Sequence, residues 1–117
     1  MNPQDGIISF EIKGDTMTAH VRDDIDHHRA KKLREEMDER LYADRPKIFV
    51  IEMSGVSFMD SSGLGLILGR FTLCRELGTQ FKLLSPSAEV MKILDLAGTG
   101  RLIHIEKSRT GKITKQH

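Results

Sequence analysis

Residues 48–84 read IFVIEMSGVSFMDSSGLGLILGRFTLCRELGTQFKLL and contain the pattern that decides the fold. Residues 48–51 are apolar at every position, which predicts a short central strand covered by helices on both sides or nearly so. After a polar loop, apolar residues recur at helical spacing over residues 64–77, and Gly78 is placed to end that helix. Residues 81–84 predict the next strand. A strand–helix–strand unit favours a right-handed crossover between parallel strands, so the predicted class is α/β.

The segment before this unit predicts a β-hairpin and an amphipathic helix. Residues 8–12 and residues 17–21 alternate apolar with polar side chains, and Gly14-Asp15 between them suits a two-residue turn. The period then changes to that of a helix over about residues 28–42. The apolar stripe of this helix is Ala30, Leu33, Met37 and Leu41. Because the hairpin adds an antiparallel strand, the predicted sheet is mixed.

The segment after residue 84 predicts a third helix and a last strand. Ser85-Pro86 combines a capping residue with a proline that the first helical turn tolerates. The helix is expected to run to about Ala97, with Gly98 as its stop, and residues 102–105 supply the strand. The predicted order is β-β-α-β-α-β-α-β, with the helices packed on the sheet.

Composition limits the class of protein. The chain has 117 residues, 38% of them hydrophobic, so we expect one domain over residues 1–106 and a basic, flexible tail over residues 107–117. The formal net charge of +1 singles out neither nucleic acid nor anionic lipid as a partner. Cys74 is the one cysteine and is expected to sit reduced in the core. No apolar stretch approaches the ~20 residues of a membrane span, so we expect a cytoplasmic protein without membrane insertion.

The turn before the second helix carries the most chemical information. Residues 58–65 place an acid, two hydroxyls and two glycines where a loop enters this helix. In a structural interpretation, Asp60, Ser61 or Ser62 caps the free amides of the first turn. Alternatively, one serine accepts a phosphoryl group, because helix amides and the positive end of the dipole stabilise an anion. A phosphate charge of about −1.5 to −2 beside Asp60 would repel a partner that fits the free hydroxyl.

Two motifs resemble one known family. Residues 58–68 with Gly69-Arg70, and Ile25-Asp26-His27-His28 followed by Ala30, are similar to the anti-sigma factor antagonists of the STAS class, most of all to its sporulation members. The resemblance implies a STAS-like fold over residues 6–106. It also implies that the unphosphorylated chain binds a dimeric anti-sigma factor, itself a serine kinase, and releases a sigma factor to promote transcription. The kinase would phosphorylate Ser61 with ATP and release the product, and a membrane-linked serine phosphatase would restore the active form.

The same resemblance assigns roles to single residues. Ser61 becomes the phosphoacceptor, and Asp26 becomes a loop acid close to it. The implied partner-binding set is Asp26, Asp60, Ser61, Ser62, Gly63, Leu64 and Gly65. Leu64, Leu66 and Ile67 are expected to pack first and to make contacts second, because helical geometry turns some of them into the core. Gly69 inside the helix costs stability relative to alanine and indicates close approach of a neighbour or partner.

The sequence departs from the family pattern at three places. Asp23-Asp24 stands where Gly-Glu is usual, and Arg29 stands where Thr or Ser is common. Both changes alter the charge near the predicted docking turn, so the identity of the partner stays open. The closing helix of the family is not evident in residues 107–117.

Other functions fit the pattern less well. An antagonist in a stress-response sigma pathway belongs to the same class and stays an alternative. A receiver domain phosphorylated on aspartate would explain Asp23-Asp24 and Lys107, but Asp60 lies well beyond the central strand and receivers lack an opening hairpin. Met59 stands where the elbow of a serine hydrolase needs glycine, and His27 and His28 are adjacent, which does not suit a metal site. We therefore predict a binding protein without catalytic residues, cofactor or metal.

Overall fold

The computed structural model describes residues 6–107 and contains five strands and three α-helices. The elements, in order, are β1 (Ile8–Lys13), β2 (Thr16–Val21), α1 (His27–Asp44), β3 (Ile48–Glu52), α2 (Ser61–Leu77), β4 (Gln80–Leu84), α3 (Ala88–Leu96), a 3-10 turn (Thr99–Arg101) and β5 (His104–Glu106). This order confirms the predicted succession of strands and helices. Of the predicted tail over residues 107–117, only Lys107 lies within the described residues.

The five strands form one mixed sheet in the order β1-β2-β3-β4-β5. β1 pairs antiparallel with β2, and Lys13 lies opposite Thr16, so Gly14 and Asp15 form the predicted two-residue turn. Gly14 has a φ of 59°, which glycine adopts without the steric cost that a Cβ would bring. The remaining pairs are parallel, which puts the carboxyl ends of β2, β3 and β4 at one edge of the sheet.

The core lies on one face of this sheet. Burial alternates along β2, where Met17, Ala19 and Val21 are buried and the residues between them are half-buried. The buried residues join one hydrophobic cluster with side chains from all three helices. Each parallel connection moves to the next strand in the same direction, and right-handed crossovers then place every helix on the same face.

The prediction that β3 is covered by helices on both sides is therefore wrong for the described residues. Phe49 and Ile51 point to the helices and are fully buried, whereas Val50 points to the other face and is 9% exposed. Val50 lies between Thr18 of β2 and Lys82 of β4 in the parallel register. Its burial comes from cross-strand neighbours, because the side chains of adjacent strands are about 5 Å apart.

The first two helices follow the predicted pattern closely. α1 buries Leu33, Met37 and Leu41, as predicted, and its range is slightly longer than the predicted residues 28–42. α2 ends at Gly78, which has a φ of 76° and caps the helix with its backbone amide. Cys74 is buried in α2, as predicted, and burial raises the pKa of its thiol to about 12 because the thiolate loses its hydration.

The start of α3 was predicted wrongly. Ser87, two residues after the predicted cap, is the N-cap and accepts a hydrogen bond from the Val90 amide at 3.1 Å. Ser85 instead has a φ of 59°, and its amide donates to the carbonyl of Glu106 at 2.8 Å. Gly98 follows the helix as predicted, but an unpredicted 3-10 turn then moves the last strand to His104–Glu106.

Candidate functional site

The first turns of α1 and α2 lie side by side at the carboxyl edge of the sheet. The segments that precede the two helices meet in a parallel bridge between Ile25 and Met59. The Ile25 amide donates to the Phe58 carbonyl, and the Asp60 amide donates to the Ile25 carbonyl, each at 3.1 Å. Asp26 and Asp60 therefore occupy adjacent strand ends, each one residue before its helix.

Both acids cap their helices. One carboxylate oxygen of Asp60 accepts a hydrogen bond from the Ser62 amide at 2.8 Å, and Asp26 accepts one from the Arg29 amide at the same distance. The hydrogen bond from Arg29 is the main reason why the pKa of the Asp26 carboxyl lies below its ordinary value of 3.8. Of the three capping candidates in the turn, Asp60 is the one that caps, so the two serine hydroxyls are not needed for this purpose.

The two serines of the turn differ in accessibility. Ser61 is the first residue of α2 and its side chain is exposed, with no hydrogen bond to its hydroxyl from any residue between 6 and 107. Ser62 is half-buried, and its hydroxyl lies 3.4 Å from Nδ1 of His27. Ser61 is thus open to an enzyme that approaches along the axis of α2, and a group attached to it would lie at the positive end of the helix dipole.

The three glycines of α2 have different surroundings. A Cβ on Gly63 would lie 2.7 Å from the Cβ of Met59, so the packing of the turn requires glycine there. A Cβ on Gly65 or Gly69 would meet nothing within 4 Å. Within the described residues, no neighbour comes close enough to Gly69 to exclude a side chain there. The prediction that a neighbouring segment of the chain approaches Gly69 closely is therefore wrong for these residues.

The leucines and isoleucine of the turn pack as expected. Leu66 and Ile67 are 4% and 0% exposed and belong to the core, while Leu64 is half-buried and packs against the same cluster. Packing therefore accounts for Leu66 and Ile67 without a partner, and Leu64 keeps some surface for contact.

Asp24 organises the loop before α2, a role that sequence reasoning missed. One of its carboxylate oxygens accepts hydrogen bonds from the amides of Ser57 and Phe58 at 2.9 and 3.0 Å. Ser57 also accepts a hydrogen bond through its carbonyl from the Ser87 hydroxyl at 3.3 Å, which joins the loop to the start of α3. The available signal was an acid in the short loop between β2 and α1, a position from which a short carboxylate reaches free amides.

The unusual residues at positions 23 and 29 pair with each other. Nη2 of Arg29 lies 3.4 Å from Oδ2 of Asp23, and Nη1 lies 3.6 Å from Oδ2 of Asp26. These groups are exposed, so the pairs add little to stability. Their effect is on charge, because the Arg29 cation offsets the negative charge of Asp23 beside the start of α1.

Phe58 is a second residue that the sequence did not single out as a contact. Its side chain is 55% exposed in the loop directly before Asp60 and Ser61. A large aromatic side chain at the centre of a polar turn is typical of an anchor in a protein interface.

The geometry does not support the catalytic alternatives within residues 6–107. His27 lies near Ser62, but no carboxylate bonds to this histidine, so a Ser–His–acid arrangement is not formed there. No group of three or more His, Cys, Asp or Glu side chains in the described residues could hold a metal ion. The antiparallel hairpin at the edge of the sheet excludes the receiver fold. Among the helices in this part of the chain, none is long and apolar enough to cross a bilayer.

Comparison with known proteins gives one consistent family. The model of the STAS domain matches residues 8–110. An anti-sigma F factor antagonist of Paenibacillus polymyxa is 28% identical over 108 residues, which cover 92% of each chain. An anti-sigma-B factor antagonist of Listeria monocytogenes is 30% identical over 85% of this chain and 89% of its own length.

A solved structure agrees with these matches. The anti-sigma factor antagonist SpoIIAA in its unphosphorylated form superposes with a TM-score of 0.75 at 25% sequence identity, over 92% of this chain and 94% of its own. The fold and the resemblance predicted from residues 25–30 and 58–70 are thereby confirmed. The chain belongs to the STAS-domain family.

Proposed function

We propose that the unphosphorylated chain is an anti-sigma factor antagonist, which binds an anti-sigma factor that is also a serine kinase and so frees a sigma factor for transcription. The observation that carries this proposal is the exposed Ser61 at the first residue of α2, directly after the capping acid Asp60, which lies beside Asp26. The names of the relatives support it, since both are antagonists of anti-sigma factors.

Phosphorylation of Ser61 switches this binding off through charge. The phosphate adds a charge of about −1.5 to −2 beside two carboxylates that the caps hold in place. The positive end of the α2 dipole, where Ser61 lies, stabilises the phosphate locally, so the fold tolerates the modification. A partner that covers the neutral hydroxyl and reaches Asp26 with a cationic group meets an excess of negative charge and is released.

The cycle needs two partners and no bound cofactor of its own. The kinase, in our proposal a dimer, supplies ATP, and a serine phosphatase removes the phosphate to restore the active form. The reaction takes place in the cytoplasm, where the sigma factor meets RNA polymerase. The contact surface consists of the turn around Ser61, namely Asp26, Asp60, Ser61, Ser62, Gly63, Leu64 and Gly65, together with the exposed Phe58.

Two sigma pathways are candidates. We favour sporulation, because the match to the anti-sigma F factor antagonist covers 92% of the chain and both family motifs resemble sporulation members. The stress-response pathway is the second candidate, because the anti-sigma-B factor antagonist is 30% identical. Titrating the unphosphorylated chain against an anti-sigma F kinase and against an anti-sigma B kinase separates the two pathways. The kinase of the true pathway should bind this form more tightly than the other kinase does.

Phosphate mapping tests the switch. The wild-type chain, Ser61→Ala and the matched control Ser62→Ala are each incubated with the kinase and ATP, and the modified residue is identified by mass spectrometry. We expect modification of the wild type and of Ser62→Ala at Ser61, and none of Ser61→Ala. Phosphate on Ser62, or an unmodified chain beside a kinase that remains active on a control substrate, would refute the proposal.

A further inference from the structure

A groove between α1 and α2 begins at the candidate docking turn. It has a volume of about 540 Å³ and is lined at its near end by His27 and Ser62, which are 3.4 Å apart. Further along, Lys31 and Arg34 line it from α1, and Arg70 lines it from α2. None of the described residues that line the groove is acidic, and although Arg70 is paired with Asp38, Lys31 and Arg34 form no ion pair within residues 6–107, so the lining carries a net positive charge.

Arg70 is the most informative residue of this groove. Its side chain is 8% exposed, and its Nε forms an ion pair with Oδ1 of Asp38 at 2.9 Å. Within residues 6–107, Nη1 of Arg70 has no hydrogen-bond partner. A buried donor of this kind is costly, and it calls for an acceptor that the described part of the chain does not supply. Burial lowers the pKa of the Arg70 guanidinium, and this is partly offset by Asp38.

Two glycines leave the groove open. Gly65 and Gly69 both line it, and an added Cβ at either position would meet nothing within 4 Å. Glycine inside a helix is less stable than alanine, so the fold alone gives no reason for these two residues. Their absent side chains instead allow another molecule to approach the backbone of α2.

We propose that this groove receives an acidic side chain of the anti-sigma partner, which accepts a hydrogen bond from Nη1 of Arg70 and pairs with Lys31 and Arg34. The inference rests on the proposed function and extends the contact beyond the Ser61 turn. A protein that covers Ser61 also covers His27 and Ser62 and therefore the near end of the groove. Covering Lys31 and Arg34 without an acid would leave desolvated cations unpaired, which costs far more than pairing them.

Charge-matched variants test the groove. Lys31→Gln/Arg34→Gln removes two cations that line it, and Lys32→Gln/Arg75→Gln removes one lysine and one arginine from exposed positions outside it. Binding is measured by calorimetry at two salt concentrations, with the kinase that phosphorylates Ser61. We expect the first variant to bind about tenfold more weakly than wild type, with a flatter dependence on salt, and the control to stay within about twofold.

Gly69→Ala provides a second arm that does not alter charge. The added methyl group projects into the groove and narrows it, so we expect weaker binding of the kinase together with an unchanged or higher melting temperature. Loss of binding in a more stable variant cannot arise from damage to the fold.

The outcomes separate the two proposals. If wild type binds the kinase and Lys31→Gln/Arg34→Gln binds equally well, the groove inference is wrong and the proposed function stands. If wild type neither binds nor is modified, the proposed function fails and the groove inference falls with it. Inorganic phosphate at millimolar concentration is the third probe. If it shifts the amide resonances of residues 65–70 in the free chain and also displaces the kinase from the groove, the occupant is a small oxyanion and the inference is overturned.

Discussion

Gly69→Ala and Gly63→Ala make the same chemical change on one helix, and the structure predicts opposite effects on stability. Gly69 lies in the middle of α2, where an added Cβ would meet nothing within 4 Å. Gly63 lies in the first turn, where an added Cβ would be 2.7 Å from Met59 Cβ and 2.9 Å from its sulfur. Position in the helix alone would predict a gain for both.

The magnitudes follow from these contacts. Alanine is more stable than glycine in a helix interior by about 1 kcal/mol, and at Gly69 no contact opposes that gain. For a chain of this length, about 1 kcal/mol corresponds to a rise of roughly 4 °C in melting temperature. At Gly63 the clash is with the Cβ of Met59, an atom that moves only with the backbone, and overpacking of this kind costs about 1–3 kcal/mol. The net effect of Gly63→Ala is therefore a loss of stability.

Urea denaturation and thermal unfolding of the two variants beside wild type provide the assay. We expect the urea midpoint to rise for Gly69→Ala and to fall for Gly63→Ala, with similar slopes for all three proteins. A lower melting temperature for Gly69→Ala would mean that the space beside α2 is occupied in solution, and it would refute the argument. Equal gains in both variants would show that Met59 relaxes at no cost.

Three further predictions concern residues at the start of α1 and α2 and in the loops before them. Ser61→Ala should bind the kinase and resist inactivation by ATP, while Ser61→Asp should bind more weakly; equal affinities by calorimetry would contradict the electrostatic switch. Asp24→Ala leaves the Ser57 and Phe58 amides without their acceptor and should cost about 1–2 kcal/mol in urea denaturation, whereas Asp24→Asn keeps an acceptor oxygen and should cost less. The lowered pKa of Asp26 means that its stabilisation is present above pH 3.8 and is lost as the pH falls through the still lower folded-state pKa. In Asp26→Ala, the free energy of unfolding should therefore fall less steeply with pH in this range than it does in wild type. If the two proteins show the same pH dependence, Asp26 does not stabilise α1 as a cap.

Local patterns were sufficient for most of the secondary structure. The hairpin followed from alternation around Gly14-Asp15, and the end of α2 followed from Gly78, because both turns need backbone angles that glycine adopts freely. The start of α3 could not be read in this way, since Ser85 and Ser87 are both good capping residues. The choice between them depends on the Ser85 amide, which is bonded to the end of β5 about twenty residues later in the chain.

The covering of β3 shows a second limit. An apolar run predicts that a strand is buried, but it does not indicate which neighbours bury it. Helices cover one face of β3 and cross-strand side chains cover Val50 on the other, because successive right-handed connections all fall on the same side.

The sequence by itself determined the order of elements, the family motifs and the turn of one acid and two serines before α2, since each depends on residues close together in the chain. The tertiary structure supplied the contact that sets Asp26 beside Asp60, near Ser61 as the resemblance implied, because the Ile25–Met59 bridge joins segments more than thirty residues apart. It also decided that Arg70 is buried in a cationic groove beside the turn. Proximity of this kind follows from strand pairing and helix packing, which no local pattern of residues encodes.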